Sequence, residues 1–365
     1  MRVEQMTKRV FIFGAGFSKP AGMPLASELL PLLEAELDWD EMREWLAGMR
    51  ERLDWLSGGT GDDSSFRLNI EQVFHYGHFD AEVHRLRQHL APVGRGDDPG
   101  TPWIHAESVD GWLLNLEETL RDVILAQDTA ADLSCVSRWA QIVGEHDAVL
   151  TFNYDTLVER ALVQVDKLWN HGTGRDDDQG LGVFKLHGSI DWIVLHRNES
   201  STKLDLLFDK KNSNRSDGKT GHVEDDYRLW RCRTREQLSQ WIKGRDLQGE
   251  LPRKVGTCGL GAYKELHRIP GLGLVWTRGM GALYQADSAI VVGFSMSDFD
   301  AMAQMQFAVV ARARNVENRP LRVIVIDPFV DQAAEDRFRR VFRSVEFVGE
   351  PHEEFDWQSL TRRGY

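Results

Sequence analysis

The chain has 365 residues with 42% hydrophobic content, enough for a globular protein with a large buried core. Lys and Arg total 44 against 57 for Asp and Glu, and the net charge of -13 disfavours nucleic acids and acidic membrane surfaces as partners. The three cysteines, Cys135, Cys232 and Cys258, are too few and too dispersed for a disulfide framework or a four-cysteine zinc site. Since the sequence shows neither a secretion signal nor a run of about 18 apolar residues, we expect a cytoplasmic protein.

Short apolar runs that end at glycine or turn residues predict buried β-strands along the chain. Because these runs are apolar on both faces, they are typical of a parallel sheet covered by helices. The prediction is therefore a Rossmann-like, doubly wound α/β fold. The predicted strands are residues 10–13, 148–152, 183–186, 289–292 and 322–326, with a possible further strand at 191–195.

Leucines and tryptophans recur at spacings of three and four residues after the first strand, which predicts amphipathic helices. These patterns cover residues 26–56, 70–90 and 109–143, so we expect a helical insertion at about 26–145 that adds a layer to the sheet. The layer around 70–143 carries more leucine and tryptophan than one sheet face can readily bury. We therefore expect a homo-oligomer that associates through this layer.

Two stretches rich in Gly, Asp, Asn and Ser predict loops. The first is residues 93–102. The second, at about 197–226, is too long for an ordinary connection, so we interpret it as a flexible insertion. The whole chain, residues 1–365, is interpreted as a single domain that carries both insertions.

The first predicted strand runs directly into a glycine-containing loop, Gly14-Ala15-Gly16-Phe17-Ser18. Glycines let the main chain approach a pyrophosphate closely, and free amides at such a turn favour an anion. The dinucleotide fingerprint of hydride-transfer dehydrogenases requires a third glycine where this chain has Lys19, so that class of enzyme is disfavoured. A strand-to-helix turn that needs glycine only for its own geometry is the alternative.

Polar residues follow the next two predicted strands. Asn153 and Asp155 come at the start of a predicted helix, and ligands of open α/β sheets bind beyond the carboxyl ends of strands. Helix capping is the alternative role for either side chain. His187, which Gly188 and Ser189 follow, can take a proton from water or a sugar hydroxyl near neutral pH. A satisfied core histidine is the alternative here.

Two later strands end in further candidate binding residues. Strand 289–292 runs into Gly293-Phe294-Ser295, and strand 322–326 is followed by Asp327 and Pro328. A carboxylate at this position can accept hydrogen bonds from ribose hydroxyls, or it can cap the turn before the proline.

In order along the chain, these motifs resemble those of sirtuins: a Gly-Ala-Gly loop with a following serine, an Asn-x-Asp element, a His-Gly-Ser element and a late Gly-x-Ser loop. The closer resemblance is to the sirtuin-like domains of bacterial anti-phage defence proteins, and it spans about residues 8–330. One motif alone is a weak signal, but four in order at strand ends are fairly specific. The closer resemblance rests on Thr151-Phe152-Asn153-Tyr154-Asp155 and Lys185-Leu186-His187-Gly188-Ser189.

The resemblance implies an NAD glycohydrolase that cleaves NAD to nicotinamide and ADP-ribose. Asn153 would hold a water, His187 would act as base or ribose-hydroxyl partner, and Asp155 would orient the ribose or a neighbouring side chain. No metal is required. The transition state has oxocarbenium character, and the departing group needs no proton because it is a pyridinium that leaves as neutral nicotinamide. The NAD-binding residues that the resemblance implies are Gly14, Ala15, Gly16, Phe17 and Ser18 at the pyrophosphate, Gly188, Ser189, Gly293, Phe294 and Ser295 along the cleft, and Asp327 near the adenosine.

Two departures separate the chain from the sirtuin deacylases. It has no Cys-x-x-Cys pair, so their zinc ribbon must be absent or replaced, and it has Phe152 where they have glutamine. Protein deacylation or ADP-ribosyl transfer is therefore the enzymatic runner-up. The non-enzymatic alternative is a scaffold or regulatory subunit that binds NAD or ADP-ribose without turnover. A metal-dependent nuclease is disfavoured, because no acids and histidines cluster at metal-ligand spacing.

Unregulated NAD hydrolysis would poison the host, so we expect a partner or an assembly state to gate the enzyme. Relatives implied by the resemblance are encoded beside hexameric DNA-translocating ATPases or short Argonaute proteins, which makes either a candidate partner. Direct contact of this chain with nucleic acid or a membrane is not expected.

Overall fold

A computed structural model describes residues 8–37, 40–56, 69–90, 106–172, 180–196, 204–205, 230–231, 253–257, 266, 269 and 271–365. Its strands in chain order are Arg9–Phe13 (β1), Ala148–Thr151 (β2), Trp169–Asn170 (β3), Leu181–Lys185 (β4), Gly188–His196 (β5), Leu204–Asp205 (β6), Trp230–Arg231 (β7), Arg253–Thr257 (β8), Ser288–Val292 (β9), Arg322–Ile326 (β10) and Ser344–Val348 (β11).

Seven of these strands form one all-parallel sheet in the order β11-β10-β9-β1-β2-β4-β3. The Rossmann-like α/β prediction is confirmed, and each predicted strand lies within two residues of an observed one. The possible strand at 191–195 is part of β5, which pairs antiparallel with β6, β7 and β8 in a second, smaller sheet.

Helices connect the strands of the parallel sheet. None of the helices in the described part of the chain is long and apolar enough to cross a membrane. In chain order they are Ala15–Ser18 (α1), Ala26–Glu36 (α2), Asp40–Leu56 (α3), Ile70–Leu90 (α4), Ala106–Ala130 (α5), Ser134–Ile142 (α6), Leu157–Gln164 (α7), Leu272–Gln285 (α8), Ala301–Val316 (α9), Gln332–Val341 (α10) and Ser359–Arg362 (α11).

The chain divides into two compact units. One contains both sheets and the described residues from Ile124 onward. The other comprises the helices within Ala26–Val123, so α6 belongs to the sheet unit although it falls inside the predicted insertion at 26–145. The predicted loop at 93–102 lies outside the described residues. So does the predicted insertion at 197–226, except for β6, and its flexibility stays a prediction.

Two features of the helical unit, the start of α4 and a glycine within α4, follow directly from the sequence. Helix α4 begins with a reciprocal capping box: the Asn69 side chain accepts from the Gln72 amide, and the Gln72 side chain accepts from the Asn69 amide. Further along α4, a Cβ on Gly77 would lie 2.8 Å from Leu113 and 3.1 Å from Trp45. The absence of a side chain at Gly77 therefore lets α3, α4 and α5 pack closely.

One face of β1 is covered by aromatic side chains. Phe11 and Phe13 point to the same side of the strand, because side chains alternate along a strand. Trp139 of α6 packs edge-on against both rings, at centroid distances of 5.8 and 5.0 Å. Trp357, in the segment after β11, lies 6.4 Å from Phe11, so the C-terminal residues complete this part of the core.

His352 of the same C-terminal segment is 4% exposed and lies against Phe17, with ring centroids 5.0 Å apart. Burial lowers the pKa of His352 from 6.5 to about 4, although the neighbouring Glu353 acts in the opposite direction. Between these two values the unfolded chain binds a proton that the folded chain does not bind. The stability that depends on neutral His352 is therefore complete above the unfolded pKa and is lost as the pH falls toward the folded one.

We expect His352→Phe to remove this loss, since Phe keeps the ring and does not titrate. Between pH 7 and pH 4, the unfolding free energy of the wild type should fall by about 3 kcal/mol more than that of the variant. Urea unfolding of both proteins at the two pH values measures the difference. His146→Phe, at an exposed histidine before β2, is the control. The same pH dependence in wild type and His352→Phe would contradict the expectation.

Candidate functional site

Five strands of the parallel sheet end in step, and each candidate loop begins at that level. Phe13 of β1 pairs in register with Thr151 and with Val292, while Thr151 pairs with Lys185 and Val292 with Ile326. All five strands run in the same direction, so the loops that follow them lie at one edge of the sheet. The sequence motifs were predicted at strand ends, and the register places them there.

The loops after β1 and β9 touch through their main chains. The Gly16 amide donates to the Gly293 carbonyl oxygen at 2.9 Å, and the Gly14 amide donates to Val292 at 3.1 Å. A Cβ on Gly14 would lie 2.5 Å from the Gly293 oxygen, and one on Gly16 would lie 2.7 Å from the Gly293 Cα. Gly293 itself has a φ of 60°. The contact between the two loops thus explains all three glycines.

This contact limits how the first loop can bind a pyrophosphate. The amide of Gly14 donates to the last residue of β9, the amide of Gly16 donates to the loop after β9, and the amide of Phe17 donates to the Gly14 carbonyl oxygen at 2.9 Å. Phe17 itself is buried, with its ring stacked on Phe13 at 3.9 Å. The amides of Gly14, Gly16 and Phe17, all assigned to the phosphate, therefore already donate inside the protein. Ala15 is half-buried.

Asn153 joins the loop after β2 to the loop after β1. Its side chain is 7% exposed, and Nδ2 donates to the Gly14 carbonyl oxygen and to the Ser18 Oγ, both at 2.9 Å. A carbonyl oxygen can only accept, so this contact fixes which end of the amide is nitrogen. Since both Nδ2 hydrogens are used, the amide oxygen is the part of Asn153 that could hold a water. Helix capping does not account for this side chain.

Ser18 connects Asn153 to Asp155. The serine hydroxyl is 1% exposed, accepts from Asn153 and is hydrogen-bonded to the Asp155 carboxylate. Asp155 also accepts from the amide of Leu157 at 3.1 Å, so it does cap the start of α7. Burial raises the pKa of Asp155 to about 6, although the positive charge of Lys185 acts in the opposite direction. Asn153 therefore contacts Ser18, and Ser18 contacts Asp155.

A buried ion pair lies at the end of β4. Lys185 is 0% exposed, and its Nζ lies 3.2 Å from Oε1 of Glu159, which is 1% exposed. The same Nζ donates to the Asp155 carbonyl oxygen. Nε2 of His171 lies 3.8 Å from the same Glu159 oxygen, and Nδ1 of His171 lies 3.0 Å from the Val183 carbonyl oxygen. A charged pair at this depth is stable only while both partners are present.

His187 lies two residues after β4, as Asn153 lies two residues after β2. The imidazole is 5% exposed and packs edge-on against Phe152, with centroids 5.0 Å apart. Phe152 in turn stacks on Phe294 at 4.1 Å, so aromatic contacts link the loops after β2, β4 and β9. Nε2 of His187 lies 3.2 Å from Oδ1 of Asp300, which is 7% exposed. A buried imidazole that faces a carboxylate is also what a satisfied core histidine would show, so both roles for His187 stay open at this point.

The residues after His187 shape its loop. Gly188 has a φ of 78°, a conformation that favours glycine. Ser189 is 0% exposed, and its Oγ donates to the Tyr154 carbonyl oxygen at 3.3 Å. The amide of Ile190 donates to the same oxygen at 3.0 Å. Ser189 therefore holds the loops after β2 and β4 together.

The two remaining candidates lie apart from this cluster of contacts. Ser295 is exposed, and its carbonyl oxygen accepts from Arg337 at 3.2 Å. Asp327 is half-buried, and burial raises the pKa of its carboxyl. Its Oδ1 accepts from the amide of Phe329 at 2.8 Å, which is the turn-capping alternative.

Sequence reasoning missed Asp300 and Glu159 as members of this region. The pattern Asp298-Phe299-Asp300 after the late glycine loop was the available signal for the first. Glu159 reads as an ordinary polar residue of an amphipathic helix, so its burial leaves no signal in the sequence. No group of three His, Cys, Asp or Glu side chains suited to a metal ion is found among the described residues.

A scan against protein-family models and a search of curated proteins found no match to this chain. The case for a function therefore rests on the site itself: an oriented amide at Asn153 and a carboxylate-paired imidazole at His187, in adjacent loops at the carboxyl edge of a parallel sheet.

Proposed function

We propose that the protein is an NAD glycohydrolase that releases nicotinamide and ADP-ribose. The observation that carries the proposal is the placement of Asn153 and His187. They follow neighbouring strands at the same register, and Asn153 is bound directly to the loop that begins at Gly14. The sirtuin-like order of the motifs supports NAD as the substrate. NAD is a substrate in this proposal and no metal takes part.

The proposed reaction breaks the bond between C1′ of the ribose and the nicotinamide nitrogen. The bonding electrons leave with neutral nicotinamide, and the ribose passes through an oxocarbenium-like transition state. The oxygen of a water held by the Asn153 amide oxygen forms the new bond to C1′. His187 accepts the proton that this water loses and returns it to solvent. Phe152 packs on the imidazole and stacks on Phe294, and in this proposal these rings limit the access of bulk water.

The amide pattern of the first loop refines the expected pose of the substrate. Because three amides between Gly14 and Phe17 donate inside the protein, the pyrophosphate would be held at the rim of the loop and not by all its amides. Under this proposal the enzyme is a gated effector of anti-phage defence. Assembly into a homo-oligomer stays a prediction. So does a partner protein, for which the candidates are a hexameric DNA-translocating ATPase and a short Argonaute protein.

We expect the purified protein, alone or with its activating partner, to convert NAD to nicotinamide and ADP-ribose in a chromatographic assay. Asn153→Ala and His187→Ala should each lower kcat by about a hundredfold or more, because each side chain acts on the water in the transition state. Asn170→Ala is the matched control, because Asn170 is also 7% exposed but lies on β3, where its side chain binds Gly172 and Gly180.

Thermal unfolding of each variant separates loss of activity from loss of fold. Two outcomes would sink the proposal. NAD that binds but stays intact in the activated protein favours the scaffold alternative. Equal turnover by the wild type, Asn153→Ala and His187→Ala would show that the site lies elsewhere.

A further inference from the structure

Asp300 is a buried carboxylate whose side chain faces His187. Its Oδ1 lies 3.2 Å from Nε2 of the imidazole, and both side chains are at least nine-tenths buried. Burying a carboxylate is unfavourable unless a donor or a positive charge faces it. His187 and Ser297 are two of the groups that face this carboxylate.

Helix capping is the ordinary role for an aspartate at this point of the chain, since Asp300 directly precedes α9. Its side chain makes no capping hydrogen bond to that helix. The carboxylate is oriented by its own turn instead: the Asp300 amide donates to the Ser297 carbonyl oxygen at 2.9 Å, and Ser297 Oγ lies 3.4 Å from Oδ2.

The turn that carries Asp300 is held firmly. Gln304 of α9 donates to the carbonyl oxygens of Met296 and Ser297 at 3.1 and 2.9 Å. Met296 has a φ of 53°, a left-handed conformation that an ordinary side chain adopts at a cost, and it is 0% exposed. The late Gly-x-Ser loop thus places a carboxylate against a histidine that follows a different strand.

We infer that Asp300 is a positioning residue for His187, which it holds with the proton on Nε2. The carboxylate then leaves Nδ1 as the nitrogen that takes a proton, and it stabilises the imidazolium that forms. In the proposed hydrolysis, the proton passes from the attacking water to Nδ1 while the water oxygen bonds to C1′. This inference rests on the proposed function for its kinetic effect, but the position of the ring proton does not depend on it.

The position of the ring proton of His187 can be measured in the wild-type protein without any substrate. With ¹⁵N-labelled histidine, His187→Gln assigns the signals of His187, whose Nε2 should be the protonated nitrogen above pH 7. Asp300→Asn, which keeps the shape and removes the charge, should shift the ring toward a mixture of tautomers. Asp298→Asn is the matched control, because Asp298 belongs to the same turn and is exposed. A proton on Nδ1 in the wild type would overturn the inference.

The kinetic arm uses the same variants. Asp300→Asn should lower kcat at least about tenfold with little change in KM, because general base catalysis is worth about a hundredfold or more. It should have no further effect in a His187→Ala background, since the pair acts as a unit. Wild-type kcat in Asp300→Asn would overturn the inference. Failure of the wild type to cleave NAD would overturn the proposed function alone, and the ring signals would still decide the role of Asp300.

Discussion

Lys185→Met is expected to lower the free energy of unfolding by about 3–5 kcal/mol, because it leaves Glu159 charged and buried without its partner. Methionine fills nearly the same volume, so the loss would come from the charge and not from a cavity. Both side chains of the pair are almost fully buried, with their charged atoms 3.2 Å apart. Urea unfolding at pH 7 measures the change.

A second variant tests the cause. Lys185→Met combined with Glu159→Gln should recover most of the lost stability, because neither residue then carries a charge. Arg339→Met breaks the ion pair with Glu335, whose side chains are 55% and 32% exposed, and should change stability by less than about 1 kcal/mol. If Lys185→Met alone is as stable as the wild type, the pair does not carry the energy that its burial implies.

Gly14→Ala should lower the free energy of unfolding by about 1–3 kcal/mol or more, whether or not a ligand is present. Its Cβ would lie 2.5 Å from the Gly293 oxygen and 2.7 Å from the Phe294 Cα. Both are main-chain atoms, so neither can move aside without displacing the loop after β9. Thermal and urea unfolding measure the loss, and Gly14→Val should increase it.

Gly349→Ala is the control for Gly14→Ala, because a Cβ on Gly349 meets no atom within 4 Å. The contrast also separates two roles for Gly14. If the glycine served only the close approach of a pyrophosphate, Gly14→Ala would be as stable as the wild type and would bind NAD more weakly. That result would contradict the role we assign to its contact with Gly293.

The sequence predicted the central strands well because they are buried on both faces. All five residues of Ser288–Val292 are buried, so the apolar run and the strand coincide. Ser344–Val348 was missed because an edge strand is only half-buried and contains Glu346. Trp169–Asn170 was missed because two residues give no periodicity. The pattern of apolar residues therefore indicates which strands are buried, and it does not detect strands that are exposed or very short.

The loops of the candidate site were predictable because each directly follows a strand, but their contacts were not. The sequence indicated a ligand role for Gly14, whereas in the structure its missing side chain admits the loop of Gly293. Asp300 meets His187 only through the fold, since the two residues follow strands on opposite sides of β1. Contacts between distant loops depend on strand order, which a single sequence does not show.

The contact between Gly14, Gly16 and Gly293 also limits where the proposed dinucleotide substrate could enter. Open α/β sheets usually admit a ligand into the crevice where successive connections change direction, and in this sheet that point lies between β1 and β9. Here the floor of the crevice is filled by main chain packed against main chain. The proposed substrate would therefore lie above these glycines, and it would meet Asn153 and His187 on the side of β2 and β4.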